Sequence, residues 1–446
     1  MKIKNILVAL ALAVLSTSCD QFLDVKPVGK VIPKSYSEYR ALITDAYSSE
    51  INDRSYSSLL SDEAAFVPEE ASYIQQFKDI FIWNVLSPDA LTQQFPWQIF
   101  YKNIFYANHI IKDKDNIIEG TPDQVNQLVG EAYLLRAYMY FNLVNLYADH
   151  YGLSDPNTQR GVPLSPLDVD LEKRNKPSSV AEVYTQVIND MNEGMALLTV
   201  NEQPKGYNYR FSKISAYGFA ARVYLYMGDF AKAAEFAQKA LDINGKLEDL
   251  NSSSAVMPYK FKSVESILAF EKTFTIDNSS TLAVSPALIA LYCKDKDLRL
   301  GAFYRYSYGD YKVKLGGSDD AKLSMRTAEF YLIKAEAIAR SSNGSLADAK
   351  ESLKTLLKNR LKPDYYTQRA AEIDAMGKDT FVQTVFDERA RELAFQGFRW
   401  FDLKRNGKPE IVKEYDGQTY TLKQNDPRYV LRFPKDAIAN NSYLAN

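Results

Sequence analysis

The residues of this chain that could do chemistry are few and poorly placed for catalysis. Its two histidines, His109 and His150, stand some forty residues apart on or near helical patterns. No HExxH and no Cys/His cluster accompanies them, so the ligand set of a zinc site is missing, and no metal or other cofactor is expected. A serine hydrolase would carry its nucleophile on a GxSxG elbow, and there is none. Gly316-Gly317 lacks the GxGxxG or GK[ST] context of a phosphate-cradling loop. A glycosidase asks only for two carboxylates about 5 to 9.5 Å apart. The obvious adjacent pairs include Asp62-Glu63, Glu69-Glu70 and Asp319-Asp320, but sequence neighbours point apart on most backbones and usually form solvated faces. The expected chemistry is binding, not catalysis.

Aromatic side chains supply the means of binding. The chain has 31 Tyr and 23 Phe against 3 Trp, and a tyrosine excess suits surfaces that stack on a ligand while hydrogen-bonding it. In Tyr304–Tyr308, alternation puts Tyr304, Tyr306 and Tyr308 on one face of a predicted strand, a stacking platform. The formal charge of −2 becomes −4 once Lys2 and Lys4 are removed with the leader, which gives no reason to expect nucleic acid as a partner.

The leader itself fixes the compartment. Lys2 and Lys4 form a basic start, and Ile6 to Leu15 form a ten-residue apolar core. About 20 apolar residues are needed to span a bilayer, so residues 1–18 read as a cleavable export signal. Leu15-Ser16-Thr17-Ser18-Cys19 resembles a lipobox, which makes Cys19 the lipidation site and the outer-membrane lipid its partner. Several acyl chains together give firm anchoring. Cys293 is then the one remaining cysteine, so no intramolecular disulfide is possible. No later stretch reaches 18 consecutive apolar residues.

The elements that must position a site are mostly helical. After a tether over 19–34, a single body over 35–446 is expected, with insertions near 55–94, 148–177 and 250–323. Pro96-Trp97 opens one helix, and Pro122 to Tyr147 carries apolar residues at steps of three and four. From Ile214 to Asn244 the order is Tyr217, Ala221 and Tyr224, a Gly228-Asp229-Phe230 turn, then Ala233, Ala240 and Leu241. That spacing matches the tetratricopeptide pattern, although Ala237 and Gly245 depart from it. Thr327 to Arg360 repeats it with a longer turn, and Gln124–Tyr147 with Ser178–Leu198 forms a degenerate third pair. The fold class is mostly α: tetratricopeptide-like helical repeats with inserted loops and short strands.

Near the C-terminus stands Phe386-Asp-Glu-Arg389-Ala-Arg-Glu392-Leu-Ala-Phe395-Gln-Gly397-Phe-Arg399-Trp400-Phe401-Asp402-Leu-Lys404-Arg405. It reads as a helix ended by Gly397 and a short helix whose Trp400, Phe401 and Leu403 pack back, with Arg399, Asp402 and Glu392 as candidates to pair across the corner. This stretch resembles the hallmark of the SusD/RagB family of nutrient-binding lipoproteins, with Gln396 in place of the commoner acidic residue. Ser61-Asp62-Glu63, the Trp97–Ile110 helix, Glu131–Phe141 and Ala328–Ala337 agree with the family in the same order.

The resemblance implies a glycan-binding lipoprotein on the outer face of the outer membrane. Such a protein captures oligo- or polysaccharide and lies as a lid over a SusC-like TonB-dependent transporter. The alternatives are a tetratricopeptide groove that grips a protein as a scaffold, or a peptide-binding member of the same family. Family members usually bind ligand through loops after the first helix and between the repeats, here 62–83 and 273–311. The ligand candidates are therefore Asp62, Tyr73, Phe77, Trp83, Tyr304, Tyr306 and Tyr308. The chain is short for the family, which implies trimmed loops.

Overall fold

The computed structural model describes residues 33–66, 72–168, 173–276, 282–316 and 320–445, without the side chains of 72–74. Cys19, the export segment, Glu69-Glu70, Asp319 and the side chain of Tyr73 lie outside the described residues.

Among those residues sixteen helices are joined by short paired strands. In chain order the first half holds α1 (Tyr36–Tyr47), α2 (Asp53–Leu60), β1 (Ala64–Phe66), α3 (Ser72–Phe81), α4 (Trp97–Lys112), α5 (Pro122–Tyr147), β2 (Arg160–Pro163), β3 (Pro177–Ser179), α6 (Val180–Leu197), α7 (Lys213–Met227) and α8 (Phe230–Ile243). The middle holds β4 (Ser266–Leu268), β5 (Leu282–Val284), α9 (Pro286–Ala290), α10 (Arg299–Phe303), β6 (Tyr304–Ser307), β7 (Asp310–Val313) and β8 (Met325–Arg326). The last part holds α11 (Thr327–Arg340), α12 (Leu346–Lys358), α13 (Pro363–Ala375), α14 (Lys378–Glu392), α15 (Arg399–Arg405), β9 (Ile411–Tyr415), β10 (Gln418–Leu422) and α16 (Lys435–Asn440).

The helices pack in the order of their repeats: α4 on α5, α5 on α6, α7 on α8, α8 on α11 and α11 on α12. Local chemistry sets the bounds. Thr121 and Gln124 form a capping box before Pro122, which starts α5. Gly228 turns α7 into α8 at φ 78°, and the Asp229 side chain caps the next helix at Lys232 N. The α5–α6 crossing is close because two glycines meet there. A Cβ on Gly194 would stand 2.7 Å from Leu134 and 3.0 Å from the Gly130 carbonyl.

A second apolar core, apart from that of the repeats, holds Trp83, Leu282, Phe303, Tyr304, Phe395 and Trp400. It gathers material from near 56–84, 259–323 and 394–429 into one lobe. The lobe is stitched by β1 pairing antiparallel with β5, Ala64 opposite Val284 and Phe66 opposite Leu282. Segments more than two hundred residues apart thus share one wall.

The C-terminal hallmark sits where the lobe meets the repeats. Its first helix ends at Glu392, five residues before Gly397, which corrects the expectation that Gly397 ends it. Phe395 and Gly397 both take left-handed φ, 56° and 78°. A Cβ at Gly397 would stand 2.7 Å from Arg54 Cα, so only glycine fits. The charged residues pair, but not with one another as expected. Arg399 forks onto Asp62 with two 2.8 Å bonds. Asp402 takes Arg389 at 2.9 Å and Arg405 at 2.8 Å. Glu392 receives Arg326, Arg360 and Arg299 at 2.6, 3.0 and 3.2 Å.

Candidate ligand-binding site

The two segments assigned to ligand do meet in the lobe, but their side chains divide into core and surface. Trp83 is 1 % exposed, and its indole Nε1 donates to the Leu60 carbonyl at 2.9 Å. Phe77 is buried against Tyr56. Tyr304 is buried too, its hydroxyl 3.1 Å from that of Tyr292. Asp62 is committed to Arg399, and its carbonyl accepts from Ser285 Oγ at 2.6 Å. These four hold the lobe together, which corrects the reading of Phe77 and Tyr304 as stacking surfaces; Trp83, though a core residue, also lines a larger cleft.

Tyr306 and Tyr308 behave differently. β6 and β7 form a hairpin with Tyr304 opposite Val313 and Tyr306 opposite Tyr311. The strand ends at Ser307, because Tyr308-Gly309 is a two-residue turn with φ of 53° and 84°. Two positive φ values in such a loop fit a type I′ turn, where Asn-Gly is the usual sequence. The expected single face of three tyrosines is therefore broken: Tyr304 points into the core, and Tyr308 leaves the strand. Tyr306 is 68 % and Tyr308 90 % exposed. Tyr306 leans edge-on against Tyr311 at 5.2 Å. A tyrosine in the left-handed region costs about 1 kcal/mol, and at 90 % exposure packing offsets almost none of it. The turn needs a positive φ here, but asparagine or glycine would supply it at less cost.

The lobe behind the hairpin is tied together by buried lysines. Lys413 of β9 is buried and touches no carboxylate; its Nζ donates to the carbonyls of Leu59, Leu60 and Phe81 at 2.5, 3.3 and 3.1 Å. Those groups end α2 and α3, where helix carbonyls lack partners and the helix dipole favours a cation. The same Nζ lies 4.4 Å over the Phe81 ring and 4.2 Å over Trp83. Burial drives the amine well below its ordinary range. Lys404 repeats the device at the end of α5, donating to Asn145 and Ala148 carbonyls, and burial brings it down to about 7.

The titratable groups raised above have structural partners. Glu63 is buried beside Asp62, accepts from Phe395 N at 3.0 Å, and is pushed up to about 8 by burial. Burial, then Arg405 and Lys404, hold His150 down at about 3, so it is neutral. Among the described residues no group of three or more His, Cys, Asp and Glu could hold a metal ion, and no helix is long and apolar enough to cross a membrane.

A larger concavity carried no local sequence signal. A cleft of about 1190 Å³ lies between residues 79–95 and 426–438. A second, of about 640 Å³, shares Gln94, Phe95, Pro434 and Leu444 with it. The larger cleft is lined from residues 60, 79–95, 147–149, 159–160, 426–438 and 444–445, so no single motif could announce it.

Comparison with known proteins places the whole arrangement. A family model described as "Starch-binding associating with outer membrane" matches residues 21–225, and the SusD family model matches residues 299–443. SusD-like protein P38 of Formosa agariphila is 24 % identical over 94 % of this chain and 95 % of its own length. A SusD superfamily protein from Bacteroides thetaiotaomicron superposes with a TM-score of 0.77 at 20 % identity, over 92 % of this chain and 98 % of that one. A laminarin-binding SusD-like protein superposes with a TM-score of 0.65 at 21 % identity, over 92 % and 98 %. With two family models covering more than three quarters of its length and tetratricopeptide-like repeats beneath the hallmark, this chain belongs to the SusD family.

Proposed function

We propose that this protein captures oligo- or polysaccharide at the outer face of the outer membrane and passes it to a SusC-like TonB-dependent transporter. The observation that carries the reading is Tyr308: a strained, exposed aromatic at the tip of a hairpin, beside exposed Tyr306. Ring faces of this kind stack on sugars. Laminarin binding by a structural relative, and the starch-binding, outer-membrane description of the matching family, point the same way. The scaffold alternative finds little support, because α5 is buried almost all round from Gln127 to Tyr147 by the chain's own elements.

Tyr308→Asn tests the site sharply. Asparagine suits a type I′ turn, so the melting temperature is expected to hold or rise. Affinity for a bound glycan, found on a glycan array and measured by calorimetry, is expected to fall roughly tenfold, the equivalent of about 1.4 kcal/mol. Tyr306→Ala is expected to weaken binding by a similar factor, with stability kept within about 0.5 kcal/mol. Unchanged affinity in both variants would remove the hairpin from the site.

Anchoring is proposed at Cys19, the last residue of the Leu15–Cys19 lipobox, with cleavage after Ser18. Metabolic labelling with a fatty-acid analogue should tag the wild type, and Cys19→Ala should lose the tag; a variant that still labels would end the anchor argument. The transporter partner predicts a TonB-dependent receptor gene immediately beside this one, and its absence would favour the scaffold.

A further inference from the structure

We propose that the trough beside the C-terminal segment is a second sugar site, which selects oligosaccharides bearing carboxylate or sulfate groups. This rests on the glycan-capture reading and names its substrate class. The two clefts share Pro434 and Leu444 and so form one trough against α16. The larger one exceeds the roughly 300–1,000 Å³ typical of small-ligand pockets, which leaves room for more than one sugar ring.

Its charges are unevenly spent. The carboxylates lining the larger cleft are all in use. Asp79 accepts from Asn84 Nδ2, Asp89 N and Thr92 Oγ1 at 2.9, 2.6 and 2.8 Å. Asp89 accepts from Leu91 N and Gln75 Nε2. Asp149 holds Lys408 at 2.6 Å, and Asp426 holds Arg428 at 2.7 Å.

Of the cations, Arg428 is committed in this way, but others are not. Arg432 and Lys435 are exposed and have no side-chain partner among the described residues. Arg160 lies 4.7 Å over the Phe433 ring, and its Nη2 donates to Leu444 O at 2.7 Å and Tyr443 O at 3.3 Å. Its Nε and Nη1 have no partner among the described residues. Beside it, Nε2 and Oε1 of Gln159 are both buried and unpartnered. Native proteins seldom leave such an amide unsatisfied, and a bound water or ligand is the usual answer.

Apolar groups complete the chemistry. Leu86 lines the cleft while 70 % exposed, and with Phe95 it offers a surface for the CH faces of sugar rings. Guanidinium groups recognise carboxylate and sulfate by charge-assisted bonds, which a neutral sugar cannot return. The smaller cleft mixes Lys173 and Arg174 with Asp436, whereas Arg432 and Lys435 line the larger one, where the anionic groups are placed.

The test uses the mature protein in detergent and calorimetry with three probes: oligogalacturonate, sulfated carrageenan oligosaccharide and neutral laminari-oligosaccharide. At least one acidic probe is expected to bind more tightly than the neutral one, with affinity that falls as salt rises. Binding of only one acidic probe identifies its anionic group as the one recognised. The double variant Arg432→Ala, Lys435→Ala is expected to lose roughly tenfold in acidic affinity. Its neutral binding and melting temperature should not change, since neither side chain holds the fold. Two results would overturn the proposal while leaving glycan capture intact: neutral glycan bound but neither acidic probe, or acidic binding at wild-type strength in the double variant. A folded protein that binds no glycan on a broad array would instead sink the capture reading, and this proposal with it.

Discussion

Glu392→Ala is expected to lower the free energy of unfolding by about 3–5 kcal/mol, the usual cost of breaking a buried ion pair from one side. Its carboxylate is the shared acceptor of Arg326, Arg360 and Arg299. Glu265 bridges two of these guanidiniums, at 3.1 Å to Arg326 and 2.6 Å to Arg360. Arg299 also holds Asp297 and Glu388 at 2.7 and 2.9 Å. All of these side chains are buried, so alanine would leave guanidiniums facing one another without water. Against a total stability of about 5–15 kcal/mol for a typical protein, the loss shows plainly in denaturant midpoint and in yield. Arg369→Ala, which breaks an exposed pair with Glu372 on α13, should cost less than about 1 kcal/mol. The network also sets the acid limb. Burial alone would raise Glu392, but Arg360, Arg326 and Arg299 outweigh it and hold the carboxyl at about 2; Arg391 and Arg299 do the same for Glu388. Both groups are depressed on folding, so their stabilisation is complete above the unfolded value of about 4.3 and is lost as pH falls toward 2. Denaturant midpoints measured from pH 6 to 2 should drop steeply below about pH 4.5, and less steeply in Glu392→Gln. A Glu392→Ala protein within 1 kcal/mol of wild type would show that the network contributes little.

What the sequence could convey divides along the range of the interaction. The helix pairs were legible because their signals are local: a Thr121–Gln124 cap before Pro122, a Gly228-Asp229 turn, and small residues three and four apart. The hallmark was legible as a charged corner, but its partners were not. Arg399 finds Asp62 across 337 residues, and Glu392 finds Arg326 across 66; no spacing rule spans such distances. The hairpin shows a finer limit. Alternation over Tyr304–Tyr308 ignored the Gly309 that forces a turn, so one tyrosine was buried and another lifted clear of the strand. Ser61-Asp62-Glu63 matched the family yet pointed to a ligand loop, whereas both carboxylates bind the hallmark corner itself. Of the trough the sequence marked little beyond Trp83, since its larger cleft is assembled from residues 60, 79–95, 147–149, 159–160, 426–438 and 444–445.

Trp83→Ala is expected to destabilise the protein by about 3–5 kcal/mol, the range for truncating a buried aromatic, and to lose glycan binding only as it unfolds. The indole fills the lobe's core, donates to Leu60 O and gives Lys413 a ring face at 4.2 Å. Removing it strips a ring face from a buried amine whose hydrogen bonds go to backbone carbonyls. Trp83 also adopts φ 57°, a left-handed conformation that costs a bulky residue roughly 1–2 kcal/mol. Only the surrounding contacts maintain it. This makes the order of substitutions diagnostic. Glycine normally destabilises more than alanine by roughly 0.5–1 kcal/mol in regular structure, but here it relieves the backbone. Trp83→Gly should therefore be no less stable than Trp83→Ala, and Trp83→Phe should be the mildest of the three. Thermal melts of the three variants, with affinity measured well below each midpoint, separate a core role from a ligand role. A Trp83→Ala protein that melts like wild type but fails to bind sugar would return this tryptophan to the ligand site.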